Sequence, residues 1–221
     1  MERLIVLDTE TTGLDPLKGD RVIEIGCVEI INRNINPDNE YHQYIQPDCN
    51  VGESVRIHGI TDNFLVGKPK FEEIAEEFLE YIDSSTLVIH NAQFDIGFLN
   101  NELDLISHDK RIEDYCDVID SLQLSKQQNP GMMHSLDALS RRFSIDSSNR
   151  SFHGALLDAQ ILSQVYLAMT GGQSNLFKSQ TFDNEEKDNK DLINKISKNR
   201  KKIKIIKANK KELAAHKNYF K

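Results

Sequence analysis

Two rhythms of apolar residues run along this chain. Toward the N-terminus they form short runs: Leu4-Ile5-Val6-Leu7 within residues 4–9, then residues 22–31, then residues 41–46. Runs of this length bounded by turn residues predict strands, the first of them buried. Between them lie Asp15-Pro16-Leu17-Lys18-Gly19-Asp20 and the polar stretch 32–39. Connections this short predict an antiparallel three-strand meander. Further on the period changes. Phe71, Ile74, Ala75, Phe78, Leu79 and Ile82 recur at helical spacing, which predicts a helix over 71–82 with one apolar face.

The remaining pattern alternates. A short buried strand is predicted at 87–89 and a helix from Phe94 to Leu105. Val118-Ile119 reads as a last short strand, with Asp120 or Ser121 capping the segment after it. Residues 135–143 carry Leu136, Leu139 and Phe143 on one helical face, and 155–169 form the strongest helical pattern of all. A meander and then strands interleaved with helices predict an α/β fold, a mixed sheet with helices packed on it. Gly171-Gly172 reads as the stop of the last helix. Residues 178–190 are polar and poor in aromatics, the composition of a flexible linker.

The length of 221 residues suits one domain plus a tail. No apolar run approaches a membrane span, and the N-terminal residues lack a signal-peptide pattern. Cys27, Cys49 and Cys116 are widely spaced, without a CxxC pair, and read as free thiols in a reducing cytoplasm. Charge is divided unevenly. Residues 1–177 carry a net −16 and residues 178–221 a net +8, which together give the −8 of the chain. The acidic body lacks the basic patch of an ordinary nucleic-acid binder. It suits nucleic acid only if metals neutralise a site locally. The basic tail suits nucleic acid or an acidic partner.

Chemistry concentrates at three places. Asp8 and Glu10 follow the first strand and, by alternation, point to the same side. Two adjacent carboxylates repel, and a hard divalent cation offsets them; two solvated acids at a strand end fit the residues as well. Asp95, in His90-Asn91-Ala92-Gln93-Phe94-Asp95, sits where a strand gives way to a helix. It is either a strand-end functional acid or a charge favouring the helix N-terminus. Asp158 shares a helix face with Ile161, Leu162, Val165 and Met169. An acid there is costly unless paired or metal-bound, and Arg141 or Arg142 is the alternative partner to a metal. His153 precedes Gly154 on the loop entering that helix, either exposed or turned toward the same site.

In order, DxE, HNxxFD and HxxxxD resemble the motifs of the DEDDh exonucleases, within the ribonuclease H-like superfamily. Val55-Arg56-Ile57-His58-Gly59-Ile60-Thr61 and Ser135-Leu136-Asp137-Ala138-Leu139 resemble further signature segments of that family. Within it, residues 3–177 are most similar to the epsilon, or proofreading, subunits of bacterial DNA polymerase III. The resemblance implies a ribonuclease H-like mixed five-stranded sheet flanked by helices. It implies Asp8, Glu10, Asp95 and Asp158 as ligands of two divalent ions, Mg2+ or Mn2+, and His153 as general base. Thr11, Thr12, Ile57, His58 and Asn91 would meet the terminal nucleotide, with Phe94 packing in or beside the pocket. Two cations activate water and relieve charge on the leaving oxygen, and a histidine titrates near neutrality. The expected reaction releases nucleoside 5′-monophosphates from a single-stranded 3′ DNA end.

Two segments point to partners. Gln173-Ser174-Asn175-Leu176-Phe177 resembles the pentapeptide by which bacterial replication proteins dock on the sliding clamp, with Gln173, Leu176 and Phe177 as its contacts. Residues 194–221 resemble, though more basic, the segment that grips the polymerase catalytic (alpha) subunit. The expected division is therefore an exonuclease domain over 1–172, a clamp-binding peptide and flexible linker over 173–193, and a basic polymerase-binding segment over 194–221. A small accessory subunit is a further expected partner; a membrane is not, and the expected location is the bacterial cytoplasm. The competing functions are an RNA 3′-trimming exonuclease of the same superfamily and a non-catalytic adaptor between clamp and polymerase.

Overall fold

The structure is a computed structural model that describes residues 2–147 and 152–178, with side chains described as far as Gly171. All of these lie in the first of two compact units, Met1–Thr181. The expected polymerase-binding segment, and the linker beyond Lys178, fall outside the described residues.

Five strands form one sheet: β1 (Arg3–Thr11), β2 (Val22–Ile31), β3 (Asn34–Tyr44), β4 (Thr86–Ile89) and β5 (Asp117–Asp120). Their order is β3-β2-β1-β4-β5. β1 to β3 make the antiparallel meander, while β4 runs parallel to β1 and β5 parallel to β4. The helices are α1 (Val55–His58), α2 (Asp62–Leu65), α3 (Phe71–Ile82), α4 (Ala92–Leu105), α5 (Ser121–Gln128), α6 (Leu136–Phe143) and α7 (Ala155–Lys178). The mixed sheet flanked by helices is the fold class expected from the pattern. None of the described helices is long and apolar enough to cross a membrane, and the three cysteines are free thiols.

Alternation along the central strand separates two cores. Ile5 and Leu7 pack with Phe78, Leu79 and Ile82 of α3 and with Phe98 and Leu99 of α4. Leu4 and Val6 pack on the opposite face, with Val28, Ile30 and Val88 of the sheet and Ala159, Leu162, Tyr166 and Met169 of α7. Side chains two apart share a face, so Asp8 and Glu10 continue the α7 side of β1, while Thr9 continues the α4 side. A nine-residue central strand thus delivers its last side chains between two helix N-termini.

Two expectations are corrected. The stretch 32–39 is not connection throughout: β3 begins at Asn34 rather than near Tyr41, and Asn32-Arg33 alone turn the chain, with φ of 47° and 67°. Positive φ at both positions is what a two-residue hairpin turn requires. The strand leaves little trace in the sequence because it forms the sheet edge, where residues 34–36 and 40 pair with β2, residues 37–39 bulge out of the ladder, and the whole stretch buries little. The last helix does not stop at Gly171-Gly172 but continues through Lys178. Glycine in a helix costs about 1 kcal/mol relative to alanine, a bias that does not forbid continuation.

Glu102 of α4 is buried and fastens the start of β2. Its Oε1 accepts from Arg21 Nε at 2.8 Å and from the Val22 N–H at 3.1 Å, and its Oε2 from Arg21 Nη2 at 2.6 Å. Replacing Arg21 with Met leaves that charge without its cation, a change that costs about 3–5 kcal/mol for buried pairs. We expect a stability loss of this order for Arg21→Met, measured by urea unfolding; a change under about 1 kcal/mol would show the pair to be dispensable.

Candidate active site

The acidic end of β1 is assembled by tertiary contact. Thr9, between Asp8 and Glu10, donates to Asp95 Oδ1 through both its backbone N–H, at 3.1 Å, and its hydroxyl, at 2.7 Å. Asp95 is 3% exposed. Burial pushes its carboxyl up to about 7; the Thr9 hydrogen bonds oppose that shift and the charge of Asp120 adds to it. Asp95 is therefore not the cap of α4. Its carboxylate is turned toward β1 from the first turn of α4, whose N-cap, Asn91, is in the left-handed conformation and makes no side-chain cap bond.

Asp158 sits buried in the first turn of α7, and its Oδ2 lies 3.2 Å from His153 Nδ1. The alternative partners are engaged elsewhere: Arg141 and Arg142 donate to the carbonyls of Asp137 and Met133. One ligand atom each from Glu10, His153 and Asp158 lie within 4.8 Å of one another. The His153 side chain, 48% exposed, stands on the loop before α7. Its backbone N–H donates to the Ile57 carbonyl at 3.2 Å, so the loop is tied to α1.

A cleft of about 290 Å³ joins these groups; Asp8, Glu10, Asp95, Asp158 and His153 all line it. Carboxylates gathered this closely repel, and a low-dielectric setting sharpens the repulsion. Oxygen-rich donors with a histidine at the edge form a donor set suited to hard divalent cations, so the residues present fit the metal ions the motifs imply.

A second cavity, of about 390 Å³, adjoins the first and shares Thr9, Glu10 and Phe94 with it. Thr11, Thr12, Ile57 and His58 line it. The Thr11 hydroxyl donates to the Gly13 carbonyl at 2.6 Å and the Thr12 hydroxyl accepts from the Arg21 N–H at 2.9 Å. These threonines thus shape the turn that forms the cavity wall. His58 Nδ1 accepts from the Ile60 N–H at 3.0 Å, and burial lowers its pKa, favouring the neutral ring. Ile57, by contrast, is 53% exposed.

Asn91 is not brought into either cavity. It is exposed, and its backbone N–H donates to Asp120; the strand-to-helix turn uses its backbone and leaves its side chain outside. Gln173, Leu176 and Phe177 lie on the C-terminal extension of α7, with side chains outside the described residues. The structure also adds residues given no role from the sequence. His90, with Nδ1 3.0 Å from the Ser121 hydroxyl, lines the cleft together with Ser135, Leu136 and Asp137 at the start of α6. Both groups lie inside segments whose resemblance is visible in the sequence, which is the available signal. Leu14, Glu53 and Ser54 line the second cavity from loops that carry no periodic pattern.

Comparison with known proteins places this arrangement. The family model RNase_T, described as Exonuclease, matches residues 5–166. The DNA polymerase III subunit epsilon of Escherichia coli (strain K12) is 45% identical over 220 residues, 97% of this chain and 90% of that protein. The subunit of the same name from Buchnera aphidicola subsp. Baizongia pistaciae is 47% identical over 233 residues, covering 100% and 91%. Among solved structures, Exonuclease X in complex with 5′ overhanging duplex DNA superposes with a TM-score of 0.61 at 23% identity, covering 77% of this chain and 93% of that one. The nuclease domain of 3′hExo, a DEDDh family member bound to rAMP, gives 0.67 at 16% identity, with coverage of 77% and 92%. The structural likenesses speak for the fold; the family match and the near full-length relatives carry the assignment. The chain belongs to the RNase_T exonuclease family and, within it, to the epsilon subunits of DNA polymerase III, the proofreading 3′→5′ exonucleases.

Proposed function

We propose that Asp8, Glu10, Asp95 and Asp158 hold two divalent cations, Mg2+ or Mn2+, and that His153 is the general base in hydrolysis of the terminal phosphodiester at a DNA 3′ end. The observation that carries this reading is the meeting of Asp8 and Glu10 of β1, Asp95 of α4 and Asp158 of α7 with His153 in a single cleft. When bound, the cations supply a nucleophilic water at neutral pH and offset charge on the phosphoryl group.

The protein's own groups do the rest. Asp158 faces His153 Nδ1 and so orients the ring. With the proton on Nδ1, Nε2 carries the lone pair and accepts a proton from water. The second cavity receives the terminal nucleotide. Leu14, Ile57 and Phe94 offer apolar surface to base and sugar, beside the wall formed by the Thr11–Thr12 turn. The product is a nucleoside 5′-monophosphate. A mispaired end enters more readily because extruding a nucleotide costs a few kcal/mol, least at a mismatch.

Partners are inferred from charge and from the relatives. A body of net −16 does not hold DNA tightly by itself, so processive removal of mispaired ends requires a tether. Residues 194–221 grip the polymerase catalytic subunit, their net positive charge suiting an acidic surface. Gln173, Leu176 and Phe177 dock on the sliding clamp, the two apolar side chains filling a pocket.

His153→Ala should lower the rate of nucleotide release by about 10²–10⁴-fold and flatten its rise with pH, while Mn2+ binding measured directly persists. A variant with the wild-type pH profile would move the base to another residue. Deleting residues 178–221 should leave release from a free DNA end intact and remove co-purification with the polymerase subunit. Leu176→Ala with Phe177→Ala should weaken the clamp contact alone. A truncated chain that still co-purifies with the polymerase would place that contact on the acidic body.

A further inference from the structure

Asp158 and His153 act with β1 only if α7 begins at the right distance from the strand. We infer that Glu24 and Gly26 of β2, which line neither cavity, form the seat that fixes this distance. They are positioning residues for the cation site proposed above, and the inference rests on that reading.

β2 lies beside β1 in antiparallel register, with Glu24 paired to Glu10 and Gly26 paired to Asp8. Alternation puts both on the face that receives α7, together with Val28 and Ile30. Glu24 is 2% exposed. Its Oε2 accepts from the Ala155 N–H at 3.2 Å, and its Oε1 lies 2.7 Å from His42 Nε2. Ala155 is the first residue of α7, so its N–H is one of those a helix cannot satisfy internally. A carboxylate at that end also interacts favourably with the helix dipole. Both Glu24 oxygens are thus engaged in holding the helix start and β3 to β2.

Gly26 supplies the other half of the seat. A Cβ built there would lie 2.2 Å from Leu156 N and 2.3 Å from the Ala155 carbonyl carbon. These are backbone atoms and cannot rotate aside as a side chain does. The helix backbone therefore rests on the strand at Gly26, and any side chain there lifts it.

The geometry transmits directly to the cleft. Asp158 lies in the same first turn, its N–H bonded to the Gly154 carbonyl at 2.8 Å, and His153 immediately precedes Gly154. Lifting or rotating the start of α7 moves both groups relative to Asp8 and Glu10. A displacement of about 1 Å in a catalytic array can cost about 10²-fold in rate.

The test compares Glu24→Ala, Glu24→Gln and Gly26→Ala in the full chain with Phe78→Leu, a destabilising control in the core on the opposite face. Direct Mn2+ titration monitored by electron paramagnetic resonance is read beside kcat and KM on a single-stranded DNA end, well below each Tm. Glu24→Ala and Gly26→Ala should lose about 10–10²-fold in kcat with KM little changed, and bind Mn2+ more weakly. Glu24→Gln, whose carbonyl still accepts from Ala155, should recover most of both. Phe78→Leu should alter neither. If Glu24→Ala does not fold, Glu24→Asp, with the charge kept and the reach shortened, takes its place. Wild-type kcat and Mn2+ binding in Gly26→Ala, or equal losses in Phe78→Leu, would overturn the inference. A wild-type protein that binds no Mn2+ would instead overturn the cation site itself.

Discussion

Mutual repulsion among carboxylates is the constraint around which this fold is arranged. Asp8, Glu10, Asp95 and Asp158 line one cleft, and like charges held near one another in a medium of reduced dielectric repel. Holding them together takes rigid elements on several sides. The central strand provides two of the acids and is clamped by neighbours on both edges. Thr9 gives two hydrogen bonds to Asp95 and so stitches α4 to the strand. The two cores on opposite faces of the sheet supply the cohesion that this acidic end lacks. The site thus gains its form from apolar packing elsewhere, and its charge is left for a cation to balance.

Much of this is legible along the chain because burial imposes a period. The boundaries of α3 coincide with its apolar stripe, Phe71 to Ile82, since every stripe residue enters the core. The polar edge strand β3 is legible only in part, because pairing through the backbone leaves no mark on side-chain choice. Gly171-Gly172 misplaces the end of α7, because a local propensity of this size is too weak to stop a helix. At the site, local sequence leaves Asp95 open between a charge at a helix N-terminus and a functional acid; the contact with Thr9, 86 residues away, decides its orientation. The motif around Asn91 draws it toward the pocket, whereas its side chain lies outside both cavities. Glu24 carries a signal of its own in the sequence: an acid within Val22-Ile23-Glu24-Ile25, a run otherwise apolar.

The charge division gives the chain two kinds of work. The acidic body, folded around its cleft, carries the chemistry; the basic C-terminal residues suit attachment to other macromolecules. An exonuclease that removes mispaired ends gains from weak intrinsic hold on DNA, because a paired end should be left alone. Under the tethering proposed above, local concentration decides when the cleft meets an end.

The acid cluster is, on this account, a liability of the metal-free fold that cations relieve. Asp95, pushed up to about 7 by burial from an ordinary value of about 4, favours the folded state while protonated. That contribution is present below about pH 4 and lost as pH rises through about 7. Thermal unfolding of the wild type and Asp95→Asn, free of metal and with Mn2+, measures it directly. The wild type should lose stability relative to Asp95→Asn between about pH 4 and about pH 7. Mn2+ should stabilise the wild type more at about pH 8 than at about pH 5.5, since binding to the folded state alone raises Tm. A wild type that tracks Asp95→Asn at every pH and gains nothing from Mn2+ would contradict the claim.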